Sequence, residues 1–293
     1  MHLRSLIVAT FAVALPLAAQ NFDTIQVRAQ PIARNLYMLT GAGGNIGLAV
    51  GDDAVFVVDD QFAPLTLKIL AAIAGITPKP VRFVVNTHWH FDHTGGNENV
   101  GRVGALIVAH ENVRRRMAVG QLIEAINRTE PPAPAAALPV VTFTESVTFH
   151  INGDSVVVTH VPPAHTDGDA IVHFTRANVV HMGDLFLSAG LPFVDLSSGG
   201  SLHGIITAAE RGLAMANAET RIIPGHGPLA DRARLQAYRD MLVVLRDRMR
   251  AEIAAGRTVE QILAANITAP YAREWPNGHE RFVRIAYQEL SRR

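Results

Sequence analysis

The chain reads Thr87-His88-Trp89-His90-Phe91-Asp92-His93-Thr94-Gly95-Gly96-Asn97 immediately after a mostly apolar segment at 81–86. That segment predicts a strand that runs directly into the histidine-rich loop. Alternate side chains of an extended backbone share a side, so His88 and His90 point the same way, while Asp92 and His93 can reach a neighbouring position. Imidazole and carboxylate groups at this density predict a loop that serves two adjacent metal ions. Surface histidines without a metal are the alternative.

The composition limits the class of protein. The 293 residues include 26 basic and 26 acidic side chains, 48% hydrophobic residues and no cysteine. This apolar share can bury a core without disulfide bonds, which argues against a disordered or fibrous chain. Zero net charge without a basic cluster argues against nucleic acid as a partner. Because cysteine is absent, any metal must be held by histidine and carboxylate groups.

Strands are predicted on both sides of the histidine-rich loop, from apolar runs that are separated by turn residues. They cover 35–40, 45–51, 54–60, 81–86, 105–110, 141–149, 155–161, 170–174, 178–182 and 220–223. Helical spacing predicts helices at 64–76, 111–118 and 202–216. Two strand-rich halves, each closed by helices, indicate an α/β layered sandwich rather than a doubly wound sheet.

The remaining segments differ in character. Residues 121–139 contain four prolines towards their end and are predicted to form a mobile loop or lid. Beyond Gly227, apolar residues between 235 and 253 recur at steps of three and four, which predicts a long amphipathic helix. Thr258 to Gln261 has the form of a capping box and predicts a second helix, and 281–290 can form a third.

The first residues are typical of a secretory signal peptide. Arg4 precedes an apolar run at 6–15, and Pro16 is followed by small residues. The apolar run is shorter than the roughly 20 residues that a membrane-spanning helix needs, so we expect cleavage near Ala19 rather than stable membrane insertion. An uncleaved anchor is the alternative. The mature protein is therefore expected to be periplasmic or secreted.

The histidine-rich loop resembles the His-x-His-x-Asp-His signature of the metallo-β-lactamase-fold hydrolases, and the resemblance continues along the chain. His165, within Ala164-His165-Thr166-Asp167, lies where the family has a third histidine ligand. Asp184 follows Gly183 in a pair similar to the family's Gly-Asp, and His226 lies within Pro224-Gly225-His226-Gly227, similar to the site of the last ligand. The resemblance extends over about 35–228 and implies a four-layer αβ/βα sandwich.

The resemblance also implies the ligand set. One ion would be held by His88, His90 and His165, and a second by Asp92, His93 and His226. Asp184 would be shared between them. Two Zn²⁺ ions suit these nitrogen and oxygen ligands, with iron or manganese as alternatives. Two such ions can lower the pKa of a bridging water towards roughly 7 and so provide a hydroxide nucleophile, and Asp92 is the expected catalytic residue that orients it.

These inferences predict an exported dinuclear zinc hydrolase that cleaves an amide or ester carbonyl bond of a small-molecule substrate. A β-lactam is the first hypothesis, because secreted lactamases meet their substrates outside the cytoplasm. A lactonase or a thioesterase similar to glyoxalase II is the alternative, since one lactamase branch has a cysteine near position 184 and a lysine three residues later, where this chain has Leu187. A metal-binding protein without activity is a third hypothesis.

The predicted organisation is a signal peptide at 1–19, a metallo-β-lactamase-fold domain at 20–230 and a C-terminal helical extension at 231–293. Other residues have two interpretations each. Trp89 and Phe91 could line an apolar substrate pocket or pack into the core. Asp59 and Asp60 could hydrogen-bond a histidine ligand or form a turn. The loop at 41–45 could be flexible over the site or an ordinary hairpin turn.

Overall fold

The computed structural model describes residues 21–292, so the predicted signal peptide at 1–19 lies outside the described residues. In chain order the strands are β1 (Arg28–Ala33), β2 (Leu36–Thr40), β3 (Ile46–Ala49), β4 (Val55–Val58), β5 (Val81–Val85), β6 (Leu106–His110), β7 (Gln121–Ile123), β8 (Arg128–Glu130), β9 (Val141–Phe143), β10 (Ser146–Ile151), β11 (Asp154–His160), β12 (Ala170–Phe174), β13 (Val179–His181), β14 (Arg221–Ile223) and β15 (Ala230–Asp231).

The helices are α1 (Thr66–Ala74), α2 (Phe91–Thr94), α3 (Asn97–Arg102), α4 (Glu111–Val119), α5 (Leu202–Met215), α6 (Arg232–Ala254), α7 (Val259–Ala265) and α8 (His279–Leu290). The predicted capping box is present: the Thr258 hydroxyl accepts a hydrogen bond from Gln261 N, and Thr258 N donates to Gln261 Oε1. Within residues 21–292, no helix combines the length and the apolar character that crossing a membrane requires.

Two large sheets face each other. The first has the order β1-β2-β3-β4-β5-β6-β9, and the second has the order β10-β11-β12-β13-β14-β15. Pairing is antiparallel from β1 to β4 and parallel from β4 to β9, whereas the second sheet is antiparallel except between β13 and β14. Phe56 from the first sheet packs against Phe174 from the second, within one apolar cluster that both sheets build.

Helices cover the outer faces of both sheets. Ile69 and Ile73 of α1 pack on the first sheet in a second apolar cluster. On the other side, α5, α6 and α8 share a third cluster with the second sheet, and Tyr238 of α6 is fully buried there. The predicted four-layer αβ/βα sandwich is therefore confirmed. The helices after residue 231 pack onto the same core as α5, because their apolar stripes face the second sheet.

Several segments differ from the sequence-based expectation, among them the unpredicted short elements α2, α3 and β15. The predicted strand at 141–149 is interrupted at 144–145, so β9 joins the first sheet and β10 the second. β1 was not predicted, because Pro31 interrupts its apolar pattern, and a proline is tolerated there since β1 is an edge strand. The expected loop at 121–139 begins with the β7–β8 hairpin, whose Ile123 is fully buried. Burial of that side chain fixes the hairpin against the protein.

Candidate metal centre

The seven predicted site residues lie at one end of the sandwich, where loops from both sheets meet. His88 to His93 follow β5 of the first sheet. The other three residues come from the second sheet: His165 precedes β12, Asp184 follows β13, and His226 follows β14. The chain crosses between the sheets before the site is complete, so residues separated by well over 100 positions must converge.

The structure brings all seven together as three overlapping groups whose ligand atoms lie within 4.8 Å of one another. The groups are His88, His90 and His165; His88, His93 and Asp184; and Asp92, His93 and His226. Asp184 lies between the first and third groups. Its Oδ2 is 3.6 Å from His165 Nε2, and its Oδ1 is 3.1 Å from His93 Nε2 and 3.4 Å from His226 Nε2.

Hydrogen bonds outside the cluster determine which ring nitrogen of each histidine faces inward. His93 Nδ1 donates to Asp59 Oδ2 at 2.8 Å, and His90 Nε2 donates to Asp195 Oδ2 at 3.0 Å. These carboxylates can only accept, so the opposite ring nitrogens face the centre, where they can offer lone pairs to a cation. His165 Nδ1 donates to the Phe193 carbonyl oxygen at 2.6 Å in the same way.

The protonated ring nitrogen of His88 can be assigned from its neighbour Thr87. The Thr87 hydroxyl donates its one hydrogen to Asp59 Oδ2 at 2.8 Å, so it accepts from His88 Nδ1, which lies 3.1 Å away. His88 Nε2 is then a buried lone pair, and among the described residues it has no hydrogen-bond partner. His165 Nε2 and His90 Nδ1 present lone pairs to each other at 2.8 Å. A cation between these nitrogens would satisfy all three, so the residues fit a metal centre.

Residues 39–240, more than half of the chain, match the sequence pattern of the metallo-beta-lactamase superfamily. The chain belongs to that superfamily. It has the fold of its metal-dependent hydrolases, as the sequence predicted, and this fold implies a small-molecule substrate.

Three solved structures illustrate the similarity. A metallo-beta-lactamase from Pontibacter korlensis is 22% identical with a TM-score of 0.60, and the match covers 74% of this chain and 99% of that one. The DIM-1 metallo-beta-lactamase is 18% identical, with a TM-score of 0.58 and coverage of 74% and 98%. The stereoselective inverting sec-alkylsulfatase Pisa1 from Pseudomonas sp. is 18% identical with a TM-score of 0.68. That match covers 90% of this chain, which spans about half the length of the sulfatase.

Burial and charge separate the histidines of this superfamily member into two kinds. Burial holds the pKa of His88 well below its ordinary value and lowers the pKa of His165 to about 4, helped by neighbouring histidines. These two rings are neutral and ready to bind a cation at neutral pH. Burial alone would also lower the pKa of His226, but Asp184 outweighs it and raises that pKa to about 10.

The carboxylates show the reverse effect. Burial would raise the pKa of Asp184, yet His226 and His93 hold it well below its ordinary value. Burial would raise the pKa of Asp92 as well, but His93 and a hydrogen bond from His226 lower it to about 2. Both side chains are therefore anionic at neutral pH. In the absence of metal, protons on His93 and His226 supply the positive charge that balances these carboxylates.

Several backbone segments approach the centre so closely that only glycine fits. A Cβ on Gly44 would lie 2.1 Å from His93 Cε1, and one on Gly225 would lie 2.0 Å from Asp184 Oδ1. Asn45 joins the two loops that carry these glycines: its Nδ2 donates to the carbonyl oxygens of Pro224 and Gly227, both at 2.9 Å. The 41–45 loop is thus a hairpin turn that is bonded to the loop of the second sheet.

The residues with two interpretations are now placed. Asp59 fulfils both, since it has a left-handed φ of 62° in the turn and also accepts hydrogen bonds from Thr87 and His93. The Asp60 carboxyl group accepts only from Gly96 N and bonds no histidine ring, while Asp60 N donates to the His93 carbonyl oxygen at 2.9 Å. Trp89 is buried and donates to Ser198 Oγ, so it belongs to the core. Phe91 instead lines a cavity next to the predicted metal ligands, which is described below.

Most other histidines lie away from the centre. His181 is buried, and its Nε2 lies 3.0 Å from the Asn45 carbonyl oxygen. His110 and His160 stack with ring centroids 3.7 Å apart, and each bonds a backbone carbonyl. No sequence pattern marks Asp195, because its contact with His90 joins residues 105 positions apart.

A cavity of about 260 Å³ opens above the centre. Its floor includes His90, Asp92, Asp184 and His226. Its walls are mostly apolar and include Phe91, Ile123 and Ile126 on one side and Leu187 and Phe193 on the other, with Arg281 completing the lining. The β7–β8 hairpin and α8 therefore both shape the substrate space.

Proposed function

We propose that this protein is an exported dinuclear zinc hydrolase that cleaves an amide or ester carbonyl bond, with a β-lactam as its substrate. One observation carries the dinuclear proposal: Asp184 lies between two ligand groups, with Oδ2 towards His165 and Oδ1 towards His93 and His226, as suits a carboxylate shared by two ions. His88, His90 and His165 would hold the first ion, and Asp92, His93 and His226 the second. The nitrogen and oxygen donor set favours zinc.

When bound, two ions would supply an activated water with a pKa of about 7 and would polarise the scissile carbonyl. The protein's own groups do the rest. Asp92 is ionised and its side chain is 19% exposed, so it can accept a hydrogen bond from the attacking water and orient it. The apolar walls of the cavity exclude competing water, and Phe91 offers a ring against which an apolar part of the substrate can pack.

Two features support the β-lactam proposal. The leader-like sequence at 1–19 would deliver the enzyme to the compartment in which β-lactams act, and two of the similar solved structures are metallo-beta-lactamases. The bridging position of Asp184 and the apolar Leu187 in the cavity favour a lactonase or thioesterase as the second candidate. The sulfatase that matches 90% of this chain adds an alkyl sulfate to the substrates to be tested.

A substrate panel tests the proposal. The zinc-loaded protein is given a chromogenic cephalosporin, a lactone, a thioester and a secondary alkyl sulfate, with Asp92→Ala as the inactive control. We expect cephalosporin turnover with the highest kcat/KM, and no turnover of any of the four by Asp92→Ala. Turnover of only one of the other three substrates would overturn the β-lactam proposal in favour of that substrate. Activity of Asp92→Ala would contradict the role given to that carboxylate.

Metal content and export have separate tests. Elemental analysis of the protein purified with zinc should give two ions per chain, and one ion would contradict the shared Asp184. Cell fractionation of the full-length chain, with mass spectrometry of its N-terminus, should find a periplasmic or secreted protein that begins after Ala19. A cytoplasmic protein that retains Met1 would overturn the export proposal alone.

A further inference from the structure

Arg281 is the one permanent cation among the residues that line the cavity above the metal centre. The chain has two lysines, and both are used elsewhere. Lys68 Nζ donates to three backbone carbonyls near the start of the described chain, and Lys79 Nζ donates to those of Gly51 and Asp52. Arg128 lies over the Phe91 ring but is paired with Glu130. Among the described residues, a negatively charged substrate that enters this cavity therefore meets one arginine without an ion pair, besides the metal centre.

The Arg281 guanidinium is held at the cavity wall but has no polar partner. It lies over the Phe193 ring, with 4.9 Å between Arg281 Cζ and the ring centroid. Phe193 in turn stacks on His90, with ring centroids 5.9 Å apart. The Phe193 ring therefore contacts both the guanidinium and a predicted metal ligand. Within residues 21–292, no carboxylate lies within ion-pair distance of Arg281 and no carbonyl accepts a hydrogen bond from it. Its side chain is solvent-exposed, so its five N–H donors are free for a ligand.

The position of Arg281 in α8 is electrostatically unfavourable for the helix itself. It is the third residue of α8, near the positive end of the helix dipole, where acidic side chains are preferred. Glu280 meets that preference and also pairs with Arg284 at 2.9 Å. Helix stability therefore does not explain a free arginine at this position, whereas binding of an anion would.

The backbone fixes where Arg281 can reach. Just before α8, the Asn277 carbonyl oxygen accepts a hydrogen bond from Leu191 N at 2.9 Å, and Asn277 Nδ2 donates to the Ala189 carbonyl oxygen at 3.1 Å. These bonds hold the start of α8 against the loop that carries Leu187 and Phe193. The arginine is thus preorganised by the same wall that shapes the cavity, which lowers the entropic cost of binding.

We propose that Arg281 binds a carboxylate of the substrate, so that this enzyme prefers carbonyl substrates that also carry an anionic group. The planar guanidinium fork matches a carboxylate in a bidentate arrangement. The carboxylate would lie against the Phe193 side of the cavity, and the scissile carbonyl would lie over Asp184. This proposal rests on the proposed hydrolase function and assigns a specificity role to a helix outside the histidine-bearing loops.

The test uses a matched pair of substrates, 4-acetoxybenzoate and methyl 4-acetoxybenzoate, which differ in the negative charge of the carboxyl group. Arg281→Met removes the charge at similar length, and Arg281→Lys keeps the charge but loses the fork. Arg284→Met is the control on the same helix. We expect Arg281→Met to raise the KM of the acid about tenfold, with kcat and the kinetics of the methyl ester changed by less than about twofold. Arg281→Lys should restore part of the loss, and Arg284→Met should match the wild type.

Two further readouts separate binding from structural damage. Added salt should raise the KM of the acid in the wild type but not in Arg281→Met, because the charge interaction is screened. Calorimetry should show that 4-hydroxybenzoate binds Arg281→Met about tenfold more weakly than the wild type. Equal losses for acid and ester, an equal effect of Arg284→Met, or unchanged binding of 4-hydroxybenzoate would each overturn the proposal. Failure of the wild type to hydrolyse either ester would instead count against ester cleavage at this centre, and the calorimetric comparison would still test Arg281.

Discussion

Replacement of Asp59 by asparagine should weaken metal binding through histidine side chains that the substitution leaves in place. Asp59 Oδ1 accepts from Thr87 N at 2.7 Å, and Oδ2 accepts from Thr87 Oγ1 and His93 Nδ1 at 2.8 Å each. Asparagine has one acceptor oxygen and one NH₂ donor group. If its oxygen keeps the bond to Thr87 N, its nitrogen faces His93 Nδ1, and that ring atom must become the acceptor.

This exchange reverses the tautomer of His93. The ring proton moves to Nε2, the atom that faces Asp184 Oδ1 at 3.1 Å and would bind the ion. The opposite amide orientation places the NH₂ group against Thr87 N, so two donors face each other in a buried position. Either arrangement loses at least one buried hydrogen bond, which costs about 1–3 kcal/mol. Loss of such a supporting carboxylate weakens metal binding about 10- to 100-fold, or about 1.4–2.7 kcal/mol.

Competitive zinc titration with a chromophoric chelator measures both binding constants. For Asp59→Asn we expect the site of Asp92, His93 and His226 to lose about 10- to 100-fold in affinity. The site of His88, His90 and His165 should weaken as well, because the Thr87 hydroxyl loses its acceptor Asp59 Oδ2 and turns its hydrogen towards His88 Nδ1, 3.1 Å away. Asp60→Asn is the matched control. Asp60 is the next residue and equally buried, burial raises its pKa well above the ordinary value, and its carboxyl group bonds only Gly96 N.

Two results would refute this reasoning. One is wild-type zinc affinity at both sites in Asp59→Asn, which would show that the tautomer of His93 does not control binding. The other is an equal loss in Asp60→Asn, which would show that any change at this turn disturbs the centre. Circular dichroism and thermal unfolding of the three proteins ensure that the comparison is made between folded chains.

Four other outcomes are expected. Zinc affinity should rise with pH between about 6.5 and 8.5, because His226, with its pKa raised to about 10, must release a proton to bind the ion; chelator titrations at three pH values test this, and a flat profile would contradict it. The metal-free protein should show the opposite trend: a raised folded-state pKa stabilises below the unfolded value of about 6.5, so urea unfolding should become easier as pH rises from there to about 10. Gly44→Ala should lower zinc stoichiometry, since its Cβ would meet His93 at 2.1 Å, while Gly75→Ala, whose nearest contact would be 3.4 Å, should bind zinc normally. Leu245→Ala should lower the free energy of unfolding by about 2–5 kcal/mol in urea denaturation, because Leu245 lies on the fully buried face of α6; a loss below about 1 kcal/mol would show that the helix is not part of the cooperative core.

The layered fold was predictable because short sequence patterns mark most of its strands and helices. Apolar runs bounded by glycine and aspartate mark the central strands, and the steps of three and four after residue 235 mark α6. The interruption at 144–145 was missed because a strand that ends in one sheet and one that begins in the other read as a single apolar segment. Which sheet a strand joins depends on pairing with distant strands, and no short pattern encodes that choice.

Only part of the candidate site could be predicted from the sequence. His88 to His93 stand out because they are contiguous, and the other three residues follow from the resemblance to a family. Asp195 and Phe193 have no comparable pattern, since their bonds to His90 and His165 depend on how a loop far along the chain folds back. Arg281 is one of several arginines in an amphipathic helix, and its place at the cavity could be found only from the packing of α8.

The Asn45 side chain has a consequence for how the protein matures. It bonds two carbonyls beside His226, from a position 180 or so residues earlier in the chain. The ligand groups on either side come from different sheets, so neither half of the polypeptide can assemble a pair of ions alone. Binding of both ions must therefore follow the docking of the two halves. Bound zinc would then stabilise a sandwich in which the two sheets have already packed together. A chain cut between β9 and β10 should stay metal-poor until its two fragments reassociate.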